Sequence, residues 1–206
     1  MILSSFYFPF PILFFLFFMF LIISAIFRRR ATRKDEAVMR DYLEAESSAN
    51  ATRAVNLSEL TYITVPDKIL QISSDNEEAM QCRDTVRELS EKRILNLNGK
   101  TNTEIKLLYG AANLEALSEY DESFTTLCIT LNTWGTKLHD AGQDEDAMDV
   151  LSYAVEIGSD ISTTYLTLGD LYFSAGKFDA IDDLVRRAEG LESLSKGTIL
   201  HHLRSY

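Results

Sequence analysis

The sequence predicts an all-α protein in which an apolar N-terminal helix precedes a domain of paired helices. Residues 1–27 include no Asp, Glu, Lys, Arg or His, and Arg28, Arg29 and Arg30 follow them directly. From residue 75 onward, apolar residues recur at helical spacing and no proline interrupts them. Residues 61–65 are rich in β-branched and aromatic side chains, but no second candidate strand exists to pair with them. Helices therefore account for the predicted fold.

The apolar N-terminal run predicts a single transmembrane helix over residues 6–27, after a tail of residues 1–5. At about 1.5 Å per residue, this segment would be roughly 33 Å long, enough to cross a hydrocarbon layer of about 30 Å. No Lys or Arg precedes the run, and Ile26 and Phe27 at its end are bulky. Both features argue against a cleaved signal peptide, so we expect the segment to remain as a membrane anchor.

The basic residues beside this run predict its orientation. Arg28, Arg29, Arg30, Arg33 and Lys34 all follow the apolar segment, and positive charge stays on the cytoplasmic side of a membrane. The expected location is the cell membrane, single-pass, with the N-terminus outside and the C-terminal domain in the cytoplasm. The open alternative is the same domain facing the envelope side.

The charge distribution excludes one class of partner. The chain has a formal net charge of -11, although residues 1–34 contribute five positive charges and no negative one. The remaining 15 basic and 31 acidic residues give residues 35–206 a net charge of -16. A domain this acidic repels nucleic-acid phosphates, which require clustered Lys and Arg, so no nucleic-acid partner is expected.

The rest of the chain divides into a linking segment and a helical domain. Residues 28–58 form a basic juxtamembrane segment and linker, in which 47–56 are predicted to be flexible, and residues 59–206 form the domain. Residues 60–70 are predicted to be an extended strip that docks on this domain. Capping residues and glycines then predict helices over 75–96, 103–118, 121–138, 144–158, from 160 or 162 to 175, 178–191 and 195–203.

Two of these helical pairs repeat at a constant interval along the chain. Leu131, Trp134, Gly135, Leu138 and Gly142 correspond in order to Tyr165, Leu168, Gly169, Tyr172 and Gly176, and Ala147, Leu151 and Ala154 correspond to Ile181, Val185 and Ala188. The interval and the pattern resemble the tetratricopeptide repeat, whose period is about 34 residues. Gly135 and Gly169 would lie where the first and second helices of a pair cross. Gly142 and Gly176 would provide the positive φ of the turn between them.

The resemblance implies a solenoid of antiparallel helical pairs that binds another protein or a peptide. In this family the first helix of each pair lines the concave face. The exposed positions of those helices here are Asn132, Thr136, His139, Thr163, Leu166, Thr167, Asp170 and Phe173. Hydroxyls, one acid and apolar groups suit an extended or helical peptide with apolar anchors and a basic residue.

The sequence contains no pattern that predicts catalysis, a cofactor or a metal site. His201 and His202 are adjacent and point apart on a helix, and the acidic residues 140–149 lack the alternation of a calcium loop. No glycine-rich phosphate loop or nucleophile motif occurs. The expected function is a membrane-anchored interaction scaffold or adaptor facing the cytoplasm. The alternative is an envelope-side domain that assists assembly or secretion of surface proteins.

Overall fold

A computed structural model describes residues 10–206, and it describes the side chains in this range except those of residues 10–13, 26, 28–35 and 37. Within these limits the chain is helical and has no β-strand, which confirms the all-α prediction. Two short 3₁₀ turns occur at Leu57–Glu59 and Ala111–Asn113. The α-helices are α1 (Phe10–Asn50), α2 (Asp67–Leu70), α3 (Glu77–Ser90), α4 (Asn102–Tyr109), α5 (Leu114–Asp140), α6 (Asp144–Glu156), α7 (Ser162–Ser174), α8 (Phe178–Glu189) and α9 (Lys196–Leu203).

The predicted transmembrane anchor over residues 6–27 requires a correction. Residues 6–9 lie outside the described part of the chain, and within that part no helix is long and apolar enough to cross a membrane. For the described residues, the predictions of a single-pass transmembrane anchor and of a single-pass location in the cell membrane are therefore wrong.

The C-terminal end of α1 belongs to the folded domain, so the predicted flexible linker over residues 47–56 is wrong for its first part. Glu46 accepts a hydrogen bond from Thr103 at 2.8 Å and forms an ion pair with Lys106. These contacts with α4 lower the pKa of Glu46, the Lys106 hydrogen bond most of all. Ala49 is fully buried. The domain therefore includes residues before the predicted boundary at 59.

A glycine allows the segment after α1 to run against the end of α4. The Val55 N–H donates to the Tyr109 carbonyl at 3.0 Å. Gly110 follows with φ 87°, and a Cβ atom there would lie 2.5 Å from the Ala54 Cα. Only glycine combines this backbone conformation with so close an approach.

Residues 60–66 of the extended strip predicted over residues 60–70 dock on the helices. The prediction is wrong for the rest of the strip, because Asp67–Leu70 form helix α2. The Ile63 N–H donates to the Ile94 carbonyl at 2.9 Å, and the Tyr153 hydroxyl donates to the Thr64 carbonyl at 3.2 Å. Val65 is buried in the core. This contact requires an extended segment opposite the strip, which explains why α3 ends at Ser90 instead of continuing to residue 96 as predicted.

Helix α5 is one continuous element of 27 residues, whereas the sequence predicted two helices that separate near residue 121. Asp121 is a plausible helix N-cap in sequence, but its Oδ1 atom accepts a hydrogen bond from the Leu97 backbone N–H at 2.9 Å. The carboxylate therefore serves the neighbouring extended segment. The buried residues of α5 follow helical spacing and form one stripe: Leu117, Phe124, Leu127, Cys128, Leu131, Trp134, Gly135 and Leu138.

The glycines of the repeat have the conformations and contacts of tight helical pairs, with one exception. Gly142 and Gly176, in the turns after α5 and α7, have φ values of 75° and 69°, as predicted. A Cβ atom on Gly135 would collide with Leu151 of α6, so the predicted helix crossing lies there. A Cβ atom on Gly169 would instead lie 2.5 Å from Leu203 of α9. Gly169 therefore permits the approach of α9 and not of α8.

We expect Gly135→Ala to destabilise the protein by about 1–3 kcal/mol, because the added methyl group overlaps Leu151 in a packed core. The matched control is Gly197→Ala in α9, where a Cβ atom meets no atom within 4 Å. This control should stabilise by up to about 1 kcal/mol, since alanine is the better helix former. Urea unfolding followed by circular dichroism measures both. Equal shifts of the same sign would contradict the described α5–α6 crossing.

Candidate protein-binding surface

The eight residues predicted for the concave face are all at least partly exposed. Three lie on α5 and five on α7, but their side chains form separate groups. One group joins α5 to α7, and a second lies at the C-terminal end of α7. His139 stands apart from both, because its Nδ1 atom lies 2.6 Å from Asp144 Oδ1 at the turn into α6.

The first group is centred on Asn132 and fixes α7 against α5. Asn132 Oδ1 accepts hydrogen bonds from the Thr163 and Thr164 hydroxyls, both at 2.9 Å. Thr164 is fully buried, so this contact satisfies a hydroxyl that water does not reach. The Thr136 hydroxyl donates to the Asn132 carbonyl at 2.9 Å within α5. Asn132 and Thr164 therefore position the surface, and Thr163 remains exposed on it.

An exposed apolar residue that the sequence analysis omitted extends this group. Ile129 is 54% exposed and precedes Asn132 and Thr136 on α5 by one and two helical turns. Residues at this spacing share one helix face. The α5 side of the surface therefore offers an aliphatic contact as well as polar groups. The position of Ile129 on this exposed face follows from helical spacing alone and could have been predicted.

The second group combines a carboxylate with three aromatic rings and an imidazole. Asp170 Oδ1 accepts a hydrogen bond from the Tyr206 hydroxyl at 2.5 Å and lies 3.1 Å from His202 Nε2. The Phe173 ring stacks on Tyr206 with centroids 4.9 Å apart, and it meets Phe178 edge-on at 6.0 Å. We call these five residues, Asp170, Phe173, Phe178, His202 and Tyr206, the aromatic–acidic patch.

The sequence analysis identified Asp170 and Phe173 of this patch but not Phe178, His202 or Tyr206. For His202 and Tyr206, the signal that could have found them was the repeat itself. One further period after Tyr165, Leu168, Gly169 and Tyr172, the corresponding positions are Ile199, His202, Leu203 and Tyr206. Helix α9 therefore continues the repeat as the next first helix, and it brings Tyr206 against α7.

Leu166 and Thr167 connect the two groups along α7. Both are half-buried, and Leu166 also packs against the hydrophobic core. Thr163, Thr167, Asp170 and Phe173 follow at intervals of four, three and three positions, which places them on one helical face. These described residues provide hydroxyls, one carboxylate and aromatic surface, and none of them is a nucleophile paired with a general base. Among the described residues, no group of three or more His, Cys, Asp or Glu could hold a metal ion.

No protein-family model, curated protein or solved structure matches this chain. The internal repeat and the geometry of the described residues are therefore the basis for a functional proposal.

The environment of Tyr206 should be visible in its titration. Burial, followed by the hydrogen bond to Asp170 and its negative charge, raises the pKa of the Tyr206 phenol above the ordinary tyrosine value. Because the pKa of Tyr206 is higher in the folded state than in the unfolded state, its protonated phenol contributes to the stability of the fold. This contribution is complete below the pKa of tyrosine in the unfolded chain and is lost as the pH rises through the pKa of Tyr206 in the folded chain. Asp170→Asn should lower the pKa, because tyrosinate would no longer face a carboxylate.

NMR titration of tyrosines labelled at Cζ measures this pKa, with Tyr206→Phe to assign the signal among the nine tyrosines. Asp179→Asn, which removes an exposed acid of α8, is the matched control and should leave Tyr206 unchanged. Titration of Tyr206 at the value of free tyrosine in both the native protein and Asp170→Asn would contradict the described contact.

Proposed function

We propose that this protein is an interaction module that binds a peptide segment of another protein across the exposed face of α7. The observation that carries the proposal is the pair of adjacent exposed rings in the aromatic–acidic patch. Phe173 is 46% and Phe178 is 58% exposed, and their rings contact each other. Aromatic side chains supply much of the binding energy at protein interfaces, and contiguous exposed apolar surface marks such sites.

Charge supports a basic residue in the bound segment. Asp170 lies within the aromatic surface, and residues 35–206 carry a net charge of -16. A carboxylate has about four acceptor positions, so Asp170 can accept a further hydrogen bond beyond those from Tyr206 and His202. A Lys or Arg of the partner would meet a favourable potential over the whole domain as well as this single acceptor.

The length of the face limits the size of the segment. From Thr163 to Phe173 the face extends about 15 Å along the helix axis. An extended peptide of about five residues or a helical one of about ten covers this distance. Thr163 and Thr167 supply polar contacts between the aromatic end and Ile129. A short segment with an apolar residue at each end and a basic residue near one of them matches the surface.

The test is selection of phage-displayed random peptides of about 12 residues on the purified full chain, a length that covers either conformation. We expect selected peptides to share aromatic or aliphatic anchors and a Lys or Arg. Synthetic peptides of that consensus should bind Phe178→Ala about tenfold more weakly, because that exposed ring is a principal contact. Fluorescence anisotropy measures the affinities.

Leu108→Ala provides the matched control, since Leu108 is a 53% exposed apolar residue on α4, away from this face. Its affinity for the selected peptides should equal that of the native chain. Asp170→Asn should weaken the binding of peptides that contain the basic residue. It should have a smaller effect on the binding of the same peptides with alanine in place of that residue. Selected peptides that bind Phe178→Ala as tightly as the native chain would rule out this surface.

A further inference from the structure

A second cleft lies where three connecting segments meet, away from the aromatic–acidic patch. The segments are residues 96–99, the turn between α6 and α7, and the loop between α8 and α9. The cleft has a volume of about 550 Å³ and shares no residue with the patch. Small-molecule sites typically measure about 300–1,000 Å³, so the cleft has the size of a ligand site.

Polar side chains lie close to two glycines in its walls, and at Gly158 the absence of a side chain makes room for Asn96. Gly158 has φ 93°, and a Cβ atom there would lie 2.8 Å from Asn96 Nδ2. The Asn96 amide instead reaches the α6–α7 turn and donates to the Ile157 carbonyl at 3.4 Å. A Cβ atom on Gly99 would lie 3.6 Å from Glu192 Oε2, so the Glu192 carboxylate extends across the cleft toward residues 96–99.

The cleft contains a buried hydroxyl group without a partner. Among the described residues, Ser193 Oγ is buried and makes no hydrogen bond. Tyr165, only 1% exposed, lines the same cleft. Burial raises the pKa of its phenol to about 12.

The charged side chains of the cleft make few ion pairs and hydrogen bonds with the rest of the described chain. Arg187 donates through Nε to Asp183 Oδ2 at 3.1 Å, and the other guanidinium donors are not part of that bond. Among the described residues, neither Asp160 nor Glu192 takes part in an ion pair. One cationic and two anionic groups therefore line a single cleft, together with the apolar side chains of Val155 and Leu191.

We propose that this cleft binds a short zwitterionic peptide, with its carboxylate on Arg187 and its ammonium group between Asp160 and Glu192. A simple anion would pair with Arg187 but would be repelled by the carboxylates of Asp160 and Glu192. A simple cation would pair with these carboxylates but would be repelled by Arg187. A ligand that carries both charges satisfies all three groups. An apolar side chain of the ligand packs on Val155 and Leu191. A dipeptide or tripeptide fits the volume.

Calorimetric titration of the full chain with three matched probes tests the proposal: alanyl-leucine, its N-acetyl form and its C-terminal amide. We expect saturable 1:1 binding of alanyl-leucine. Each blocked form should bind about tenfold more weakly, since each loses one charge-assisted contact worth about that factor. Absence of binding at about 10 mM alanyl-leucine, or equal binding of all three probes, would overturn the proposal.

Two neighbouring arginines provide a matched pair of variants. Arg186 and Arg187 both pair with Asp183, but only Arg187 lines the cleft. Arg187→Gln should therefore lower the affinity for alanyl-leucine about tenfold, and Arg186→Gln should leave this affinity unchanged. Asp160→Asn should lower the affinity for alanyl-leucine. It should not change the affinity for the N-acetyl form, which has no ammonium group. Circular dichroism melting shows that the variants are folded. Equal affinities for Arg186→Gln and Arg187→Gln would assign any binding to another part of the chain.

Discussion

The buried stripe of α5 is the packing interaction on which the rest of the described structure depends. Leu117 on this helix is fully buried in a small cluster with Leu97 and Ile105. From Phe124 onward, the same stripe belongs to the main core, where Trp134 is only 1% exposed. Because the buried residues of the two clusters share no other described helix, the continuity of α5 aligns them.

The orientation of the candidate binding face follows from this helix in two steps. Asn132 of α5 accepts hydrogen bonds from Thr163 and Thr164, which sets the position of α7. Gly169 then permits Leu203 of α9 to approach, and the residues after α9 reach the end of α7. Tyr206 is thereby stacked on Phe173. The aromatic–acidic patch is therefore a product of packing between elements far apart in sequence.

The sequence predicted what local chemistry determines and missed what tertiary contacts determine. Gly142 and Gly176 identified the helical turns, because positive φ is a local requirement. Asp121 was misread, because its carboxylate binds the Leu97 N–H across the fold instead of capping a helix. At the candidate site, the resemblance to the tetratricopeptide repeat pointed to Asp170 and Phe173. Tyr206 could have been found by extending the repeat, whereas its contact with Asp170 depends on the docking of α9.

Amide hydrogen exchange across α5 tests the central role of this helix most directly. If α5 is continuous, the amides of residues 119–123 are hydrogen-bonded within it and should exchange as slowly as those of residues 127–131. Mass spectrometry of overlapping peptides, or NMR, resolves the two segments. Exchange near 119–123 at the rate of an open turn, with protection resuming after it, would show two separate helices. It would contradict the account of one helix joining both cores.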